Sequence, residues 1–187
     1  MAKSPGWRSR PSGERAAVQA RYAVIEIRYA TEEDWPELKR VRLAALLDAP
    51  LAFGVSHASA AAYTDQAWRD RAAGRGPARY LLAFDGGTAV GIVAHVPNAA
   101  RELELIAMWV TPALRGTPTA SRLVEAVKQH ATTHAYPRLL LDVDPDNRRA
   151  AAFYRKLGFT FLPQWEALDS HPHIRLQKME LIPVRRS

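Results

Sequence analysis

Residues 102–121 read E-L-E-L-I-A-M-W-V-T-P-A-L-R-G-T-P-T-A-S, and the changes of character along that stretch decide the architecture. Glu102–Val110 is almost continuously apolar after Glu104, the pattern of a central strand covered on both faces. Thr111–Gly116 reads as a turn, and from Pro118 to Thr132 the residues Leu123, Val124, Val127 and Ala131 recur at helical spacing. A strand feeding a tight turn and then a helix start brings free backbone N–H groups and a positive dipole end to one spot, which suits phosphate. Arg115 adds a cation of phosphate-matching geometry, and Gly116 lets the backbone approach a ligand closely. On these residues alone an ordinary strand–turn–helix connection with a surface arginine fits as well.

The flanking elements extend the pattern. Upstream, Tyr80–Phe84 and Ala89–Pro97 flank Asp85-Gly86-Gly87, a strong hairpin signal. Val24–Tyr29 alternates apolar and polar positions as a half-buried first strand does. Thr31, three residues before Asp34 and close to Pro36, marks a helix start, and the apolar face Trp35, Leu38, Val41, Leu43, Ala45, Leu46 runs to about Asp48 before Pro50 stops it. Residues 51–62 read as a loop, and Thr64–Ala73 as a second helix with Thr64 as N-cap and Trp68 on its apolar side. Downstream, Arg138–Val143 is a short strand and Arg148–Leu157 a helix closed by Gly158. Phe159–Leu162 and Arg175–Ile182 read as two final strands separated by a polar loop over 163–174. The order predicts an α+β or α/β domain around one mixed sheet.

Composition narrows the classes. The chain has 187 residues, a formal charge of +7 and no cysteine, which excludes disulfides, thiolate metal sites and a cysteine nucleophile. No apolar run approaches the ~20 residues that span a bilayer, and the start of the chain lacks a signal-peptide core, so a cytoplasmic location is expected. Six basic side chains against two acids in residues 1–28, and four against one in residues 175–187, account for the whole excess; the body between is neutral. Residues 1–23 are therefore read as a basic disordered leader and 24–184 as one domain, with no basic stripe of the kind nucleic-acid binding needs.

A second stretch sharpens the reading. Residues 138–159 run R-L-L-L-D-V-D-P-D-N-R-R-A-A-A-F-Y-R-K-L-G-F. Together with W-V-T-P-A-L-R-G-T-P-T-A at 109–120, this resembles the GNAT superfamily of acyl-CoA-dependent N-acetyltransferases. The first stretch is similar to that family's coenzyme-A loop. The second is similar to its N-x-x-A-x-x-F-Y-x-K-x-G-F segment, matched at Asn147, Ala150, Phe153, Tyr154, Lys156, Gly158 and Phe159. P-L-A-F-G at 50–54 fits the same order. The resemblance implies a three-layer fold with a mostly antiparallel mixed sheet and a splayed parallel strand pair. It implies acetyl-CoA as cosubstrate, no metal, and an amine of a small molecule or protein as acceptor.

The same resemblance assigns expected roles. Met108, Trp109 and Val110 would meet the pantetheine arm, and Arg115, Gly116, Thr117, Pro118, Thr119, Ala120 and Ser121 the pyrophosphate. Asn147, Ala150 and Phe153 would contact the lower coenzyme, although Asn147 also suits a helix cap and Phe153 and Phe159 also suit core. Tyr154 matches the tyrosine that protonates the departing thiolate. A base is expected on the strand, where Glu102 and Glu104 share a face; Glu104, four residues before Met108, is favoured, while both also fit solvated strand-end charges. His171 and His173, an H-x-H pair better read as loop than as metal ligands, border the expected acceptor site, as do His57 and Tyr63, and Asp65, Glu166 or Asp169 would recognise a cationic amine, none of them being singled out. One departure is Pro118, where the family has glycine: an N–H donor is lost, worth about 1 kcal/mol, while φ suits a helix start. A catalytically degenerate acetyl-CoA-binding domain is the alternative, a different acyl chain length is open, and C-terminal edge strands are compatible with a homodimer.

Overall fold

Alternation along the strands buries side chains on both faces of a single sheet, and the computed structural model describes residues 25–183 of it. Among these residues seven strands occur: β1 (Glu26–Tyr29), β2 (Arg79–Asp85), β3 (Thr88–Pro97), β4 (Leu103–Val110), β5 (Leu139–Val143), β6 (Thr160–Leu168) and β7 (His171–Leu181). Their order is β1-β2-β3-β4-β5-β7-β6. All neighbours are antiparallel except β4 and β5. The helices are α1 (Trp35–Asp48), α2 (His57–Ala61), α3 (Asp65–Ala72), α4 (Thr119–Thr133) and α5 (Arg148–Lys156). The predicted leader 1–23 and both end residues of the predicted domain, 24 and 184, lie outside the described residues.

Period two sorts the core. Leu81 and Ala83 of β2 join Val93, Leu105 and the α4 stripe Leu123, Val124, Val127 on one face; Leu82 and Phe84 join Ile92, Trp68 and the α1 stripe Leu38, Val41, Leu46 on the other. Each such large side chain contributes roughly 1.5–3 kcal/mol by leaving water. The β2–β3 hairpin turns on Gly86 and Gly87, at φ +56 and +90, with Asp85 paired to Thr88, as a two-residue turn with both central residues at positive φ requires. At the start of α1, the Thr31 amide donates to Asp34 Oδ2 at 2.8 Å, as the Thr31–Asp34 spacing predicts.

Three expectations need correction. The segment 51–62 is not all loop: Ser56 accepts from the Ser59 amide and caps the five-residue α2, a helix too short to show a period. The polar stretch 163–174 is mostly strand, β6 and β7 meeting at a tight turn; it reads as loop because this edge hairpin is exposed and Pro163 falls where pairing skips from Phe161 to Trp165. His171 and His173 thus stand on β7, and no metal-holding cluster of His, Cys, Asp or Glu occurs among the described residues. β4, finally, is not covered on both faces: Ile106 is 38% exposed and Met108 only half-buried, because one face of the strand borders a cavity.

Beneath α4 a polar cluster sits in the apolar layer. The Tyr29 hydroxyl lies 3.0 Å from His95 Nε2 and 2.9 Å from His130 Nδ1, and the His95 and His130 rings are 4.2 Å apart. His95 is 1% exposed, and burial, reinforced by the charge of His130, pushes its pKa down to about 4. A histidine held neutral in the fold is protonated first in the unfolded chain, so stability is full above pH 6.5 and falls as pH drops toward 4. The loss is on the order of 3 kcal/mol. Denaturant midpoints measured across that window test it: His95→Gln is expected to flatten the slope, and an unchanged slope would assign it to other groups.

Candidate active site

β4 and β5 pair only at Leu103–Leu139 and Glu104–Leu140. Beyond that point β4 bulges: Ile106 faces Ala94 and Trp109 faces Ile92, so two residues, Ala107 and Met108, oppose one on β3, with Ala107 at φ +57. An extra residue bends its strand. β5 meanwhile stays paired to β7 through Val143, so the two parallel strands part and a wedge opens between them. The main chain of β4 past Glu104 has no strand partner on that side.

The wedge opens into a cavity of about 910 Å³. Glu104, Met108, Trp109, Val110, Arg115, Gly116, Thr117, Ala120, Ser121, Asn147, Ala150, Phe153 and Tyr154 all line it. Two expected residues do not. Thr119 is 1% exposed, its hydroxyl held by Thr117, and Pro118 turns away at the start of α4 with φ −65. The turn into α4 holds Gly116 at φ +84, a left-handed conformation that favours glycine. Among the described residues the N–H groups of Gly116, Ala120 and Ser121 have no hydrogen-bond partner, leaving three donors at the positive end of a fifteen-residue helix. The Ser121 hydroxyl itself donates back to Pro118 O at 2.9 Å.

The charges divide cleanly. Glu102 accepts from Arg138 Nε at 2.7 Å and Asn98 Nδ2 at 3.0 Å; these bonds hold its carboxyl below the usual range, and it stays outside the cavity. Among the described residues Glu104 accepts from Asn98 Nδ2 alone, at 3.2 Å, and it lines the cavity. Arg115 is tied to Asp48 of α1, whose Oδ2 also accepts from Trp109 Nε1 at 2.9 Å. Tyr154 is 9% exposed, its hydroxyl has no partner among the described residues, and burial pushes its pKa up. Phe159 is core at 1% exposure. Asn147 serves as N-cap, its Oδ1 accepting from the Ala150 amide at 3.1 Å, while also lining the cavity. Asn147→Ala should therefore cost about 1 kcal/mol in thermal or denaturant unfolding.

The acceptor end differs from expectation. None of His57, Tyr63, Asp65, Glu166, Asp169, His171 and His173 lines the cavity. Asp65 pairs with Lys39 at 2.9 Å, Glu166 lies 3.6 Å from Lys178, and Tyr63 packs on Trp68. Their place is taken by Arg42 of α1, Phe53, Tyr80 and, from the β6–β7 hairpin, Leu168 and Leu176. The hairpin tip is fastened over this end by Ser170 Oγ, which donates to Phe53 O at 2.6 Å. Asp48, Arg42 and Tyr80 carried no signal in the sequence, because an isolated polar residue on a helix or strand does not reveal what it faces.

Comparison with known proteins follows from this geometry. The model of the "Acetyltransferase (GNAT) family" matches residues 33–159. A mycothiol acetyltransferase from Streptomyces scabiei is 33% identical over 84 residues, 44% of this chain and 27% of that protein. The chain spans between 27% and 51% of the length of the curated relatives it matches. Among solved structures, a GNAT-family acetyltransferase from Streptococcus pneumoniae superposes with a TM-score of 0.70 at 22% identity, covering 86% of this chain and 99% of that one. A Salmonella typhimurium structure holding its cofactor acetyl-CoA reaches 0.69 at 16% identity, covering 87% and 96%. The seven-stranded mixed sheet with its one parallel pair is the architecture they share.

Proposed function

This chain belongs to the GNAT acetyltransferase family, and we propose that it transfers the acetyl group of acetyl-CoA to a primary amine by direct attack. The observation that carries the reading is the wedge between β4 and β5, with unpaired β4 main chain on one side and the unpartnered Tyr154 hydroxyl reaching the cavity. The lining fits the coenzyme: three free N–H groups and Arg115 at the start of α4 suit a pyrophosphate, and the β4 edge at Met108 and Val110 suits the amides of the pantetheine arm. Acetyl-CoA bound there supplies an activated acetyl thioester.

The protein's residues then manage protons. Glu104 takes a proton from the incoming ammonium, directly or through a water, which frees the nitrogen lone pair. As the new N–C bond forms and the C–S bond breaks, the nitrogen sheds its second proton to solvent, while the Tyr154 hydroxyl gives its proton to the sulfur and later regains one from solvent. A phenol kept neutral by burial holds that proton through the neutral range.

Isothermal titration of acetyl-CoA followed by free-thiol release with a panel of amines tests the proposal. Binding together with thiol release on one amine class is the expected result. No binding at millimolar coenzyme sinks it, and binding without release on any amine reduces the chain to a coenzyme-binding module.

A further inference from the structure

Arg42 projects from α1 into the end of the cavity opposite the α4 turn, six residues before Asp48 and so about 9 Å along the helix from the residue that holds Arg115. Its guanidinium carries five donors and no possibility of neutralisation at ordinary pH. Among the described residues none of those donors has a hydrogen-bond or ion-pair partner, and Nη1 is closed off from solvent. The guanidinium carbon lies over the Phe53 ring, 4.5 Å from its centroid. Burial acts against the charge, lowering its pKa, while Tyr80 and Tyr63 oppose that shift. Tyr80 lines the same cavity, and its hydroxyl likewise lacks a partner among the described residues. Arg71 acts on the Tyr80 hydroxyl as well, so the local field is positive. The neighbouring acids are otherwise engaged: Asp48 by Arg115 and Trp109, Glu104 by Asn98.

A guanidinium with one nitrogen shut away from water and no counter-ion among the described residues is costly to hold and persists where something outside the fold completes it. Resting on the acetyl-transfer reading above, we propose that Arg42, with the Tyr80 hydroxyl, binds a carboxylate of the acceptor, so that the preferred substrate class is amines that also carry a carboxylate, amino acids first among them. A guanidinium fork matches a carboxylate bidentately, and the aromatic face behind it fixes the fork's plane. The coenzyme does not meet this need, because its anionic groups belong at the α4 turn and its pantetheine arm is neutral.

The test pairs each neutral or basic amino acid with the amine left when its carboxylate is removed. Thiol release is measured for the wild type, Arg42→Met and Arg42→Lys, with acetyl-CoA affinity and thermal midpoint measured on each protein. For the best pair, the wild type should favour the amino acid by roughly 100-fold or more in kcat/KM, since a site built for a polar group rejects the analogue lacking it. Arg42→Met should erase most of that preference through KM, Arg42→Lys should retain part of it, and acetyl-CoA affinity should stay within about twofold in both. Because the charge is unpaired without substrate, Arg42→Met should also melt at the same or a higher temperature; a lower midpoint assigns Arg42 to the fold and overturns the proposal. Equal or better use of the decarboxylated amines by the wild type overturns it, as does a preference that survives in Arg42→Met. Coenzyme binding without turnover on any amine defeats acetyl transfer and the proposal together, and absence of coenzyme binding defeats the reading of the cleft itself.

Discussion

Tyr154→Phe is expected to lower kcat by roughly 10²–10⁴-fold, the range for losing a positioned general acid. Acetyl-CoA affinity should stay within about twofold, because the ring remains and only an oxygen reached late in the reaction is removed. The geometry sharpens the expectation. The hydroxyl has no partner among the described residues and lies at the cavity, so its deletion breaks no hydrogen bond within the fold and should change stability by less than about 1 kcal/mol. Activity and stability should therefore move independently. Single-turnover thiol release beside a thermal melt checks both, and a kcat within twofold of the wild type would leave Tyr154 as a wall of the cleft.

Ala120→Glu should weaken acetyl-CoA binding by roughly 100-fold or more, about 2.7 kcal/mol. Ala120 lies one residue inside α4, beside the free N–H groups of Gly116 and Ser121. A carboxylate placed there competes for those donors and repels the pyrophosphate. The same charge in the first turn of a helix stabilises it by about 0.3–1 kcal/mol. Because Ala120 also packs at the margin of the core, the two effects offset and the variant should melt close to the wild type while failing to bind; a melt beside the titration separates lost binding from misfolding. Titration of coenzyme A, which lacks the acetyl group but keeps the phosphates, should show the same loss. Unchanged affinity would move the phosphate site away from α4.

Much of this was legible in the chain because the signals are local. The Gly86-Gly87 turn, the Thr64 cap and the α4 stripe from Leu123 to Ala131 are each set by neighbours a few residues away, and each appears at its predicted place. Residues of both motif stretches, 109–120 and 138–159, line one cavity. What escaped depends on tertiary placement. The edge hairpin of β6 and β7 is polar because it is exposed, and polarity alone reads as loop. Thr119 matched the loop motif, yet the first turn of α4 carries its side chain into the core. The choice between Glu102 and Glu104 could not come from their shared parity: Arg138, thirty-six residues downstream of Glu102, draws one of them aside. Arg42 sits among the residues of an amphipathic helix, and only its place at the cavity, against the Phe53 ring, shows that it lacks a counter-ion among the described residues.

The two-residue junction between β4 and β5 has a mechanical consequence. Four strands lie on one side of it and three on the other, and the sheet that joins them is stitched only at Leu103 and Glu104. A ligand threaded along the parted strands acts as a splint across that seam, so binding should slow amide exchange in β5 and β7, on the far bank, as well as in the β4 residues it touches.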